Sequence, residues 1–311
     1  MTRILAMKLS TLVPIKPLAP PLDYESKVLF LGSCFAENIG SKLQYYGFDT
    51  LINPFGIIFN PVSLAILIEK AASNTIFSIE DVETGFSYYA HSKLNGKNAY
   101  ETLLNLNEAL DLLKIRLSES SHIFITLGTA WVYRHTTKNI IVANCHKQPQ
   151  TIFEKFLLTP TQIATSLESI KQNIQSINPV ASICYTLSPV RHLKDGFIEN
   201  TQSKSRLHDA IQNEIGTAAQ YFPAYEIVMD ELRDYRYYGT DMIHLNETGV
   251  DYVWNCFRES GIPSNLFPIL QKVEKFRKLK NHRPTDQEKH YQQVMLQMKK
   301  LIEFYPFLKI C

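Results

Sequence analysis

Several protein classes are excluded by what this sequence lacks. Its 311 residues carry 32 Lys and Arg against 30 Asp and Glu, a net charge of +2, and the charges are spread along the chain rather than blocked. That distribution offers no basic footprint for nucleic acid, and no nucleic-acid partner is expected. No apolar run approaches the about 18 to 20 residues that a membrane span requires. The apolar N-terminus is interrupted by Lys8, Pro14 and Lys16 with no small-residue cleavage site, so neither membrane association nor secretion is expected. The five cysteines (Cys34, Cys145, Cys184, Cys256, Cys311) are odd in number, widely spaced and free of any CxxC pair. This argues against zinc or dithiol redox chemistry and fits reduced thiols in a cytoplasmic protein. His91, His122, His135, His208, His282 and His290 lack metal-ligand spacing, so no metal and no cofactor is expected. Internal repeats and low-complexity segments are absent. Met7-Lys8-Leu9 could serve as a start in place of Met1, which makes residues 1–6 dispensable.

What is present is ordinary globular composition, 45% apolar and 20% charged, at a length that supports one large domain or one plus an appendage. Residues 14–21 form a proline-rich lead-in. The apolar run 28–31 stops at Gly32 as a buried strand would, and Ile39, Leu43 and Tyr46 then share a helical stripe that Gly47 ends. Further on, a strand at 50–52, a helix after Asn60-Pro61, a helix at 107–117 and a strand at 122–127 keep the β-then-α period. Residues 131–135 and 139–143 read as a decorating hairpin. A helix at 161–177 leads to a strand at 181–187, a helix at 205–221 to a strand at 225–229, and Asn246 caps a helix closed by Gly261-Ile262-Pro263. This alternation predicts an α/β fold, a three-layer α/β/α doubly wound architecture with a mostly parallel sheet, over residues 22–260. Beyond it, 273–280 and 287–304 read as charged amphipathic helices separated by Arg283-Pro284. They form a helical C-terminal extension, 261–311, that packs on the domain or mediates self-association.

In open α/β sheets ligands bind outside the carboxyl ends of the strands. Gly32-Ser33-Cys34 places a hydroxyl and a thiol there, at a helix N-terminus whose dipole favours an anion. Asp241-Met242-Ile243-His244 spaces a carboxylate and an imidazole so that they can meet in one turn, the carboxylate fixing the tautomer and leaving the other ring nitrogen to act as base. Ser188-Pro189-Val190-Arg191-His192 follows a strand. Arg191 could grip a substrate carboxylate or phosphate or pair with Asp195 or Glu199, and His192 competes with His244 as base. Asn144 and His146 either project into the site or bond their own turn.

Residues 28–37, a hydrophobic strand running into Gly32-Ser33-Cys34-Phe35-Ala36-Glu37, resemble the first block of SGNH (GDSL-type) hydrolases. Asp241-Met242-Ile243-His244-Leu245-Asn246-Glu247-Thr248-Gly249 resembles their last block. Gly32-Ser33-Cys34-Phe35-Ala36 matches the motif that names the GSCFA family, an SGNH-like group. Asn53-Pro54-Phe55-Gly56, Gly128-Thr129-Ala130-Trp131-Val132-Tyr133, Asn144-Cys145-His146-Lys147, Ser188-Pro189-Val190-Arg191-His192 and residues 235–246 look like the same family, so that the resemblance covers about residues 8–258. It implies a flavodoxin-like sheet and acyl-transfer chemistry, with two departures. A gap-free match puts Cys34, not Ser33, at the nucleophile position. Of the oxyanion donors the resemblance implies (the nucleophile N–H, the Gly56 N–H and an Asn side chain in G-x-N), the Asn is replaced by Ala130 in the Gly128 block. The expectation is an esterase or O-acyltransferase acting on an ester-bearing small molecule or glycan, with Cys34 or Ser33 attacking, His244 as base then acid and Asp241 orienting it. The alternative is a non-catalytic SGNH-fold module that binds a ligand or partner.

Overall fold

The computed structural model describes residues 11–215 and 219–310; the alternative start at Met7 lies outside them. In chain order the elements are β1 (Lys27–Gly32), α1 (Cys34–Tyr45), β2 (Asp49–Ile52), α2 (Pro61–Ser73), α3 (Ala99–Glu119), β3 (His122–Leu127), β4 (Trp131–His135), β5 (Ile140–Val142), β6 (Phe153–Leu157), α4 (Pro160–Ile177), β7 (Ser182–Leu187), α5 (Phe197–Ile215), β8 (Ala219–Tyr221), α6 (Ala224–Glu226), α7 (Glu247–Gly261), α8 (Phe267–Asn281) and α9 (Gln287–Phe304). The main sheet has the order β2-β1-β3-β7-β8, and all of its pairings are parallel.

The period-2 alternation of the strands sets the layers. Leu29 and Leu31 of β1, Ile123 and Ile125 of β3 and Ile183 of β7 face a core closed by α2, α3, α4 and α5. Val28, Phe30, Phe124 and Cys184 face the opposite core, closed by Phe35, Ile39 and Leu43 of α1 and Val253, Trp254 and Phe257 of α7. Parallel strands covered on both faces need continuous apolar runs, which is why β1 and β3 read as Lys-Val-Leu-Phe-Leu-Gly and His-Ile-Phe-Ile-Thr-Leu. The result is a three-layer α/β/α fold with helices on both faces of a parallel sheet.

Four local expectations need correction. The helix expected at 107–117 begins eight residues earlier, because Asn98 caps it by accepting the Glu101 N–H at 2.9 Å. The helix expected at 205–221 is α5, 197–215, and residues 219–221 instead form β8 on the edge of β7. With that edge taken, the apolar run expected as a strand at 225–229 coils into α6 and a π-helical turn, Ile227–Glu231, which buries Ile227 and Val228. The decorating hairpin gains a third strand, β6, antiparallel to β4.

Leu270, Val273 and Phe276 of α8, Leu301 of α9, and then Leu308 and Ile310 join the core shared by α1 and α7. The Lys309 N–H donates to Gly47 O at 2.8 Å. The tail is thus fastened where α1 ends, at the amino edge of the sheet. A groove of about 500 Å³ between α8 and α9, lined by residues such as Phe276, Leu301 and Tyr305, lies on this side. Among the described residues no helix is long and apolar enough to cross a membrane.

Candidate active site

The chain runs from β1 to β2 on one side and returns through β3 on the other, so the crevice at the carboxyl ends of β1 and β3 is the topological switch point where ligands bind in such sheets. Gly32 ends β1 at φ +123°, and a Cβ there would stand 2.1 Å from Thr126 O, so no other residue fits without displacing β3. This glycine lets the backbone turn at once into α1. Ser33 caps the helix, its Oγ accepting the Phe35 N–H at 3.3 Å while its own N–H donates to Thr126 O at 3.0 Å. It is fully buried. Cys34 is the first residue of α1 and remains partly exposed. Burial, and then Glu37, push its thiol above the ordinary value, while the N–H groups of Cys34 and Phe35 and the ammonium of Lys204 act to lower it. The helix N-terminus alone therefore does not hold a thiolate, which corrects the sequence expectation.

Asp241 and His244 do meet. Asp241 Oδ2 and His244 Nδ1 lie 2.7 Å apart, and Asp241 Oδ1 accepts the N–H groups of Ile243 and His244 at 2.9 and 3.0 Å. Those bonds, led by the one to the imidazole, hold the carboxyl down to about 2. Met242 takes φ +57° to close the turn. Arg191 pairs with neither Asp195 nor Glu199 among the described residues. Asp195 is paired with Lys155 at 2.6 Å, and the Arg191 guanidinium donates to Met242 O while lying 5.0 Å from the Tyr238 ring and 5.6 Å from the Tyr235 ring. It fastens the turn that carries His244.

The oxyanion donors expected from sequence are largely engaged elsewhere. The Gly56 N–H closes a turn on Asn53 O at 2.8 Å, and the Gly128 N–H donates to Phe59 O at 2.8 Å. Ala130, where the Asn is missing, has its N–H on Ser203 Oγ at 2.7 Å. Asn144 accepts the N–H of His146, whose Nε2 lies 2.8 Å from Ser87 O and 3.0 Å from Ala90 O. These two residues brace the 87–91 segment, where His91 packs on Gly56, rather than reaching Asp241 and His244. The buried side-chain atoms without a hydrogen-bond partner among the described residues include Nδ2 of Asn53, Nε of Arg191 and Nε2 of His192. Asn53 Oδ1 accepts the Gly32 N–H at 2.8 Å. His192 stands edge-on to Phe59, 5.0 Å between centroids, and burial, with the charges of Lys204 and His244, brings its imidazole down to about 3. A neutral imidazole is thereby maintained at ordinary pH.

A family model described as the GSCFA family matches residues 27–257, from the first strand through α7. The chain belongs to the GSCFA family. No curated protein matches it. A solved structure from Streptococcus pneumonia, provisionally described as a platelet activating factor, is 14% identical, covers 75% of this chain and 83% of its own, and has a TM-score of 0.39.

The GSCFA match thus contains Cys34, Asp241, His244, Arg191 and His192 on one sheet edge. Sequence reasoning missed Asn53 and Lys204. Lys204 is 2% exposed and donates to Gly128 O and Ser188 O, both at 2.7 Å. A signal existed: Asn200, Ser203, Lys204, Leu207 and Ile211 form one helical stripe, all buried, and a lysine on such a stripe is rare unless it has partners. No group of three His, Cys, Asp or Glu among the described residues could hold a metal ion.

Proposed function

We propose that this protein is an acyl-transfer enzyme of SGNH type, an esterase or O-acyltransferase acting on an ester-bearing small molecule or glycan. The observation that carries the reading is the Asp241–His244 pair at 2.7 Å, on a turn pinned by Arg191 beside the strand ends where Cys34 begins α1. Cys34 is the nucleophile in this reading, because Ser33 is wholly buried as the helix cap. The sulfur attacks the ester carbonyl carbon as its S–H proton passes to His244, His244 then gives that proton to the leaving alkoxide, and a thioester forms on Cys34. Water or a second hydroxyl, deprotonated by His244, then releases the acyl group. Asp241 keeps Nδ1 of His244 engaged so that Nε2 does this work. For the oxyanion we assign the Cys34 N–H, with Asn53 Nδ2 and His192 Nε2 in place of the donors that Gly56 and Gly128 do not offer; one such donor contributes about 100- to 1,000-fold in rate.

The test is turnover of an activated acetyl ester by purified wild type, Cys34→Ala, Ser33→Ala and His244→Ala. Loss of turnover in Cys34→Ala and His244→Ala with unchanged thermal unfolding supports the reading. If the wild type turns over no ester in a panel spanning acetyl to octanoyl, the non-catalytic binding module replaces it, as the engaged Gly56 and Gly128 amides favour. Asp241→Asn combined with His244→Ala should be no slower than His244→Ala alone, since the two act as one unit.

A further inference from the structure

Away from the crevice, the hairpin of α8 and α9 holds a groove of about 500 Å³, within the range of about 300 to 1,000 Å³ that small-molecule sites occupy. On α8 it is lined by Lys272, Lys275, Phe276 and Leu279, whose i, i+3, i+4, i+7 spacing puts them on one face. On α9, Lys300, Leu301 and Phe304 repeat that spacing. Each helix thus sets lysine beside an apolar stripe. Phe276 and Leu301 are 4% and 8% exposed and form the floor, whereas Phe304 is 75% exposed. Three ammonium groups line the groove and no carboxylate does. None of the three is in an ion pair among the described residues; the nearby carboxylate of Glu274 is taken by Lys278 at 2.6 Å. Lys272 Nζ donates to Tyr305 Oη at 2.6 Å. The hydroxyl hydrogen of Tyr305 and two N–H groups of Lys272 are left for a further acceptor at that end.

We propose that this groove binds a medium-chain fatty acid as its anion, the carboxylate held at Lys272 and Tyr305 within the field of Lys275 and Lys300, and the alkyl chain laid along Phe276, Leu301 and Phe304. Charge complementarity selects this occupant: three cations without a counter-ion over an apolar floor match one anionic head on one apolar chain. The length agrees, since the stripe from Lys272 to Leu279 rises about 10 Å at about 1.5 Å per residue. Phe276 and Leu301 lie at the bottom of the groove, within reach of a chain that enters it and out of reach of a flat lipid surface. Each methylene that enters should tighten binding about fourfold. The proposal stands apart from the acyl-transfer reading, because nothing assigned to Cys34 or His244 enters it.

The experiment is calorimetric titration of the full chain with hexanoate, octanoate, decanoate and decanol, in wild type, in Lys272→Gln combined with Lys300→Gln, and in Phe304→Ser. Wild type should take up one decanoate per chain, with affinity rising about fourfold per methylene from hexanoate to decanoate. The double lysine variant should weaken decanoate by about tenfold or more, the loss expected for a hydrogen bond to a charged group, and should leave decanol binding in place. Phe304→Ser should weaken both. In the unaltered protein, NMR signals of the Tyr305 ring should shift with the same midpoint as the heat. Absence of saturable decanoate binding, decanol bound as tightly as decanoate, or decanoate affinity unchanged in both variants overturns the proposal. A dimer in sedimentation that Phe304→Ser splits and decanoate does not compete with gives the groove to a second copy of the chain. Cosedimentation with phosphatidylglycerol vesicles without saturable decanoate binding gives it to a lipid surface. Either result overturns the proposal as well.

Discussion

Arg191→Met tests whether the turn carrying His244 is held from outside the Asp241–His244 pair. The substitution keeps an apolar stem but deletes the guanidinium bond to Met242 O and the contacts with Tyr238 and Tyr235 at 5.0 and 5.6 Å. A hydrogen bond from a charged donor is worth about 1.5 to 3 kcal/mol, and an exposed cation–ring contact about 0.5 to 1 kcal/mol. Ordering of the turn therefore loses about 2.5 to 5 kcal/mol. The lower figure, expressed wholly as misplacement of His244, is about 70-fold in rate at about 1.36 kcal/mol per decade. Hydrogen exchange reports the cause, since the amides of Ile243 and His244 are protected by their bonds to Asp241 Oδ1. Both should exchange faster in the variant, activated-ester turnover should fall on the order of 10- to 100-fold, and the thermal midpoint should fall by only a few degrees, because Arg191 belongs to neither core. Lys at this position should restore only part of the loss, lacking the flat fork that bonds and stacks together. Unchanged exchange with unchanged turnover would refute the assignment.

Gly32→Ala should destabilise the fold by about 3 kcal/mol or more, because the new Cβ meets Thr126 O at 2.1 Å; a midpoint in urea within error of wild type contradicts it. His192 titrates normally near 6.5 when unfolded but only at about 3 when folded. The unfolded chain binds the extra proton between those values, so the stability that neutral His192 supplies is complete above about pH 6.5 and is lost as pH falls toward 3. His192→Gln should flatten the acid limb of the stability profile over that window, and a stability difference from wild type that is independent of pH contradicts it. Deleting residues 285–311 uncovers the places of Leu301, Leu308 and Ile310, each contributing about 1.5 to 3 kcal/mol of burial. The truncated protein should unfold at lower temperature yet turn over ester at the wild-type rate per folded molecule, since the tail docks at the amino edge of the sheet; folded but inactive protein contradicts this.

The period of the sequence revealed the strands that matter. β1 and β3 are apolar, bounded by Gly32 and Gly128, and buried on both faces, so their carboxyl ends could be named as the place to look. The pairing of Asp241 with His244 was legible because three residues suffice to bring them together in one turn. What escaped was long-range. The stretch 225–229 has strand composition, but β8 holds the edge it would occupy, and no local pattern reports that competition. The partner of Arg191 is a backbone carbonyl 51 residues away, which spacing rules for charged side chains do not anticipate. Gly56 and Gly128 were identified by type, yet whether a backbone N–H is free depends on which carbonyl the fold places opposite it. Lys204 resembles any other helical lysine until the stripe it shares with Leu207 and Ile211 is seen to face inward.

The most direct test of Cys34 as nucleophile is to trap the acyl-enzyme. Wild type mixed with an activated acetyl ester, quenched in acid and digested, should carry one acetyl group on the peptide 33–37, localised to Cys34 by fragmentation and released by neutral hydroxylamine as a thioester is. The group should be absent from Cys34→Ala and should accumulate slowly in His244→Ala. An acetyl group on Ser33, or turnover by Cys34→Ala at the wild-type rate with no acetyl on this peptide, would contradict it.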